Sequence, residues 1–360
     1  MLELLTTKIN FRLIIPSIIV FILGYTSIVS TTQGLAENHL LYFFIGLIIF
    51  SILQYFDVFF FIKYSVYFYF FVSFLLILIF IIGQTVLGAS RWLKIGELSL
   101  QPSEMAKIAI IFLNTKLLID ETRLKFFKFV FENKFFKTLI FTLPLIFMVL
   151  IQPDLGTTIS IVLIYLGIIL ISDFNKIWFL LAFAIFGIAS TPLYNSLQDY
   201  QKDRIVSFMN PDSDPYGKGY NSIQAEIAVG SGGFFGKGYK QGTQTQLNFL
   251  PIFWTDFLVA TYAEEWGFIG LLFFLVTYLF LIYEIYSIST KASSPAFKYV
   301  SFGILVYFSM QFCINFGMNI GMLPVTGIPA PLFSYGGTSL VSSLILLGII
   351  NKISIDKSKY

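Results

Sequence analysis

Six ionisable residues lie within or at the edges of long apolar stretches: Arg91, Glu104, Lys107, Asp154, Asp256 and Glu264. A charge at membrane depth is costly, so each needs a partner or a function. As a set they offer carboxylates for proton transfer and cations for an anionic group. The chain narrows the other options. His39 is its only histidine and Cys313 its only cysteine, which excludes His or Cys metal clusters and an internal disulfide and disfavours a Ser-His-Asp triad.

Each of these residues also has a purely local explanation. Arg91, in Gly88-Ala89-Ser90-Arg91-Trp92-Leu93, reads as an interfacial arginine beside a belt tryptophan. In Gln101-Pro102-Ser103-Glu104-Met105-Ala106-Lys107, Pro102 suits the first helical position and Glu104 the first-turn site that complements free amides. Lys107 follows one turn later on the same face, where it pairs with Glu104, contacts a substrate, or does both. In Gln152-Pro153-Asp154-Leu155-Gly156-Thr157, proline breaks a helix and Asp154 caps the next. Asp256 follows Thr255, a plausible N-cap, so helix capping and proton transfer compete for it. Helix-start dipoles lower its pKa and desolvation raises it. On a straight helix Glu264 falls about 12 Å deeper and about 80° around, out of reach of Asp256, and reads as a buried polar contact between spans. Gly230, Gly232, Gly233, Gly236 and Gly238 match a nucleotide fingerprint poorly and point instead to close backbone approach.

The elements that must position these residues are membrane helices. The 360 residues are 57% hydrophobic and 12% charged, with mean hydropathy +0.82, more apolar surface than a soluble core can absorb. The runs are apolar all round, unlike the alternating segments of a β-barrel. The expected fold is an all-α polytopic transmembrane helix bundle with about ten spans, at 12–30, 41–61, 64–83, 104–120, 138–152, 155–172, 177–191, 257–283, 298–318 and 337–352. The first is a retained anchor. Lys and Arg in the short connections, crowded between Arg123 and Lys137, place both termini in the cytoplasm and attract anionic lipid.

Function is then sought outside, in connections 84–103, 192–256 and 319–336. The loop 192–256, between spans seven and eight, is too long for a plain connection. Turn chemistry at Asn210-Pro211-Asp212 and Asp214-Pro215-Tyr216-Gly217 and a short helix over Ile223–Val229 make it partly structured. With no internal repeat, residues 1–360 form a single membrane domain.

In order along the chain, these motifs resemble the SEDS family of bacterial cell-wall proteins, its RodA branch more than its FtsW branch. The matching stretches are Gly88 to Leu93, Gln101 to Lys107, Gln152 to Thr157, Asn210 to Gly219 with the glycines through Gly238, and Thr255-Asp256-Phe257 with Glu264-Glu265-Trp266-Gly267-Phe268. The last are Leu323-Pro324-Val325-Thr326-Gly327 and Ser334-Tyr335-Gly336-Gly337-Thr338-Ser339. The resemblance implies a peptidoglycan glycosyltransferase of the bacterial inner membrane that polymerises lipid II during elongation. Its implied partners are a class B penicillin-binding protein and other elongation-complex membrane proteins, with no nucleic acid. Asp256 matches the family's essential aspartate. Arg91 and Lys107 become candidates for contacting pyrophosphate, with Trp92, Glu104, Arg204 and Thr255 shaping the substrate cavity. The cofactor is left open, a divalent cation such as Mg being one candidate. Two departures stand out: Ile252-Phe253-Trp254 replaces the usual Glu and His before Thr-Asp, and Ala330 replaces a common Leu. A lipid II flippase and a non-catalytic scaffold are the competing readings.

Overall fold

The structure is a computed structural model describing residues 9–86, 89–95, 98–120, 134–173, 176–177, 180, 187, 199–211, 214–217 and 219–356. It is a helical bundle with a small sheet and a short-helix cluster at one end. Helices α1 (Phe11–Thr31), α2 (Gln33–Leu53) and α3 (Val58–Ile82) precede a three-stranded antiparallel meander of β1 (Gln84–Val86), β2 (Ala89–Ile95) and β3 (Leu98–Leu100). Then come α4 (Pro102–Ile119), α5 (Lys134–Ile151) and α6 (Leu155–Ile171). The short helices α7 (Asp199–Met209), α8 (Tyr220–Ser231) and α9 (Thr243–Gln246) lead to α10 (Leu258–Thr290), α11 (Pro295–Asn319) and α12 (Gly337–Asp356).

Seven of these, α1, α2, α3, α5, α10, α11 and α12, are long and apolar enough to cross a membrane, so the chain is a multi-pass membrane protein. Two more expected spans are present as helices of another character. α6 is apolar but has 17 residues, and α4 carries Glu104, Lys107 and Lys116. Packing of α4 against α3, α5, α6 and α11 buries the first two. The expected span 177–191 lies outside the described residues except at 177, 180 and 187, as do Gly88, Asp212 and most of the basic stretch 123–137.

The second and third spans are corrected. They run 33–53 and 58–82, not 41–61 and 64–83, because polar residues inside continuous apolar sequence set the boundary. Asp57 caps α3 by accepting from Phe59 N (3.0 Å). Gln54 ends α2 by donating to Phe50 O (2.9 Å) and Gly348 O (3.1 Å) and accepting from Asn351 (2.7 Å). Lys63, expected in the connection, falls inside α3. The meander was not expected at all, since its strands are of three and seven residues, too short for a periodic signal.

α10 is broken. Gly267 has φ 66° and ψ −164°, a conformation open essentially to glycine alone. The break strips main-chain groups of their helical partners, and the glycine-rich segment supplies replacements. Lys237 N and Gly238 N donate to Glu264 O and Glu265 O (both 3.0 Å), while Phe268 N and Ile269 N donate to Gly233 O (2.9 Å) and Phe234 O (3.2 Å). A Cβ at Gly267 would lie 2.2 Å from Gly236 N. Gly267→Ala is therefore expected to cost at least about 1–3 kcal/mol from the backbone alone, read as a lowered melting temperature in detergent. Gly230, with open space at its Cβ position and inside α8, is the control that should melt at or slightly above wild type when changed to Ala.

Candidate active site

Asp256 sits two residues before α10, on the short turn that leads into the helix. The sequence left capping and chemistry in competition there, and the structure shows that neither Thr255 nor Asp256 caps. Phe257 occupies the N-cap position without a side-chain bond. The cap comes from another helix: Asn319 Oδ1 of α11 accepts Ala260 N (2.9 Å). The Asp256 carboxylate is thus not taken up by helix amides.

The turn that presents it is built from the atypical residues. Phe253 is buried with Ala225, Ala228, Leu250, Phe257 and Ala260, and Trp254 and Val325 pack on this cluster. Ile252 adopts φ +53°, a left-handed conformation rare for a β-branched residue. Its carbonyl accepts Thr255 N (3.3 Å) and lies 3.4 Å from the Thr255 hydroxyl. Trp254 O accepts Tyr335 N (3.0 Å), which ties the turn to the Ser334-Tyr335-Gly336-Gly337 stretch. Ala330 is buried, its amide donating to Ser334 Oγ (3.1 Å).

Around the carboxylate, charge converges from distant segments. Burial raises the Asp256 pKa, while Arg204 of α7, the Thr255 hydroxyl and Arg91 of β2, in that order, pull it down. A carboxyl lifted above its usual range moves toward the working pH of a general base. Gly327, with φ +75°, lies alongside: a Cβ there would stand 3.7 Å from Asp256 Oδ2 and 3.9 Å from an Arg204 nitrogen.

Arg91 is anchored at the junction of α5 and α6. It donates to Gln152 O (3.3 Å) and to Pro153 O, carbonyls at the end of α5 where positive charge is favoured, and lies 4.0 Å from Asp154. Asp154 caps α6 as expected, accepting from Thr157 N (3.2 Å) and Oγ1 (2.9 Å). It also accepts from Gln101 (3.1 Å) and Ser103 (3.2 Å) at the start of α4. Gln101 N in turn donates to Thr338 Oγ1 (2.9 Å). At Gly156 a Cβ would meet Thr326 O at 2.8 Å, so the motifs separated in sequence pack directly together. Trp92 is partly buried in β2, opposite Gln84.

Glu104 and Lys107 form the expected i,i+3 ion pair, at 2.6 Å and almost fully buried. Lys107 also donates to Gln311 (3.2 Å) and stands 5.0 Å from the Tyr307 ring centroid. Its charge is taken up by Glu104, whereas the field at Asp256 comes from Arg204 and Arg91.

Glu264 is also placed differently from the sequence expectation. Glu264 lies in the helical turns that precede the break at Gly267, and its fully buried side chain binds residues 237–244 rather than a neighbouring span. It accepts from Lys237 (2.6 Å), Thr243 (3.1 Å) and Gln244 N (3.1 Å). Sequence reasoning passed over Asn315 and Asn319, although two amides one turn apart in an apolar helix are a recognisable signal of interhelical bonding. Among the described residues, no group of three or more His, Cys, Asp or Glu is placed to hold a metal ion.

Comparison with known proteins places this geometry in context. The FtsW, RodA and SpoVE family profile, described as cell cycle protein, matches residues 4–359. The peptidoglycan glycosyltransferase MrdB of Escherichia coli (strain K12) is 36% identical over 274 residues, 75% of this chain and 72% of that protein. MrdB of Helicobacter pylori (strain ATCC 700392 / 26695) is 36% identical over 357 residues, 95% and 88%. A chain of a peptidoglycan synthase complex that coordinates polymerization and crosslinking superposes with TM-score 0.81 at 26% identity, covering 98% of this chain and 99% of that one. The rod shape determining protein RodA of Thermus thermophilus shares the fold, with TM-score 0.72 at 23% identity over 97% of both chains.

Proposed function

Because the chain belongs to the FtsW, RodA and SpoVE family of cell cycle proteins, we propose that it is the peptidoglycan glycosyltransferase of cell elongation, with Asp256 as its general base. The observation that carries the site assignment is a half-buried carboxylate, free of helix capping, in the field of two arginines. In this reading Asp256 takes the proton of the acceptor sugar hydroxyl of lipid II. The oxygen attacks the anomeric carbon of the donor, and undecaprenyl pyrophosphate leaves. Arg91 and Arg204 supply positive charge to the pyrophosphate, and Trp92 and Thr255 line the site. The Glu104–Lys107 pair holds the α4 start that carries Gln101 and Ser103 to Asp154. Base catalysis of this kind contributes about 10²–10⁴-fold, and alignment of the two sugars must supply much of the rest.

The same reading places the chain in the bacterial inner membrane with both termini cytoplasmic, beside a class B penicillin-binding protein and other elongation-complex proteins. The likeness to a peptidoglycan synthase complex supports that partner. The test incubates purified protein, with and without the partner, with lipid II and assays glycan polymer. Polymer is the expected result; lipid translocation in vesicles with no polymer would identify a flippase instead.

The pH profile is a further expectation. A base works deprotonated, so the rate is present above the Asp256 pKa and lost as pH falls through it. Since burial raises that pKa, the acid limb should lie above the usual value of about 3.9. Arg204→Gln removes a group that lowers it and should move the limb to higher pH, which initial polymerisation rates across a buffer series would record.

A further inference from the structure

Two asparagines one turn apart on α11 converge on the main chain at Asp256. Asn319 Nδ2 donates to Asp256 O (2.9 Å) and to Asn315 O (2.8 Å), while its Oδ1 accepts Ala260 N (2.9 Å). Asn315 Nδ2 donates to the same Asp256 carbonyl (3.2 Å) and to Ile328 O (2.7 Å). Both asparagines are fully buried. The amide orientations are fixed by chemistry, since the Nδ2 partners include main-chain carbonyls and the Asn319 Oδ1 partner is an N–H. One side-chain pair therefore grips the aspartate, the first turn of α10, and the residue after Gly327, which flanks the carboxylate.

Such a grip decides a local competition. Ala260 is fully buried, and a buried amide without an acceptor is expensive. If Asn319 did not serve it, the acidic side chain just before the helix, Asp256, would be drawn back to cap α10.

We propose that Asn315 and Asn319 are positioning residues for polymerisation: they hold Asp256 by its peptide carbonyl and cap α10 in its place, leaving the carboxylate for the acceptor hydroxyl. This rests on the reading of Asp256 as the base. The charged groups facing that carboxylate are Arg204 from α7 and Arg91 from β2, and neither asparagine adds charge.

The experiment measures lipid II polymerisation by the full chain with its penicillin-binding partner, as rate per folded molecule at saturating and sub-saturating lipid II across pH. For Asn319→Ala the rate at saturation should fall by about 10²-fold, the scale of a small misplacement of a reacting group, with the half-saturating concentration little changed. Its acid limb should move to lower pH, because a carboxylate bound to helix-start amides is held ionised. A wild-type rate and limb, or a lower rate with an unmoved limb, would overturn the assignment, the latter meaning that Asn319 serves the fold alone. If Asn319→Ala does not fold, Asn315→Ala decides, since it leaves the cap in place. It should lower the saturated rate without changing half-saturation, and wild-type kinetics would overturn the proposal. Asp256→Asn in parallel separates the two failures: if it polymerises as wild type, the base reading falls. If it is inactive while the asparagine variants behave as wild type, only the positioning role falls.

Discussion

Asp256→Asn is expected to lower the polymerisation rate by about 10²–10⁴-fold, the span of lost general-base catalysis, without lowering thermal stability. The structure separates these outcomes. The fold uses the Asp256 carbonyl, gripped by Asn315 and Asn319, whereas the carboxylate caps nothing. Burial raises the carboxyl pKa, so at pH above that value the ionised form costs stability, and a neutral amide of the same shape removes the cost. The variant should melt at or above the wild-type temperature while making little polymer, the usual relation of a functional group to the fold that holds it. Initial rates and melting curves on one preparation check both halves. Normal polymer yield would remove Asp256 from the chemistry, and a collapsed melting curve would show that its carboxylate serves the fold.

Lys107→Met should have the largest effect on stability. Lys107 and Glu104 are about 1% and 2% exposed, and removing one partner of a buried pair leaves an uncompensated charge, typically at a cost of about 3–5 kcal/mol. Replacing both, as Glu104→Gln with Lys107→Met, should recover most of the loss, because the remaining groups are neutral. This pair of variants also resolves the two roles left open by the sequence. If the double variant regains its melting temperature and polymerises, the pair is structural. If it regains stability but not activity, Lys107 also contributes to substrate handling.

How far the sequence could be read depends on what kind of interaction sets each feature. Hydrophobic runs located most helices within a few residues, because crossing a bilayer demands a fixed apolar length. The α2–α3 boundary was displaced since its determinants, Gln54 and Asp57, are two polar residues in apolar sequence, and one of them acts through the distant Asn351. The Glu104–Lys107 pair and the Asp154 cap were legible because both are contacts within one turn. Asp256 was singled out by its place at the loop end and by family resemblance, yet its freedom from capping was not, because the substitute cap is Asn319, 63 residues further along the chain. The Glu264 contacts failed for a related reason. Its partners lie 20 to 27 residues earlier, in and after the glycine-rich segment that also satisfies the break at Gly267.

That loop also changes what counts as one unit of the molecule. Four main-chain hydrogen bonds and the Lys237–Glu264 pair cross between residues 233–238 and the break in α10. Peeling the loop away would strand all of these groups at once, so neither side can open alone. Residues 233–238 are therefore no tether that flexes beside the helix. Residues 233–238 and the break in α10 form a single cooperative element. A load applied at residues 233–238 is passed to α10 rather than absorbed within the loop.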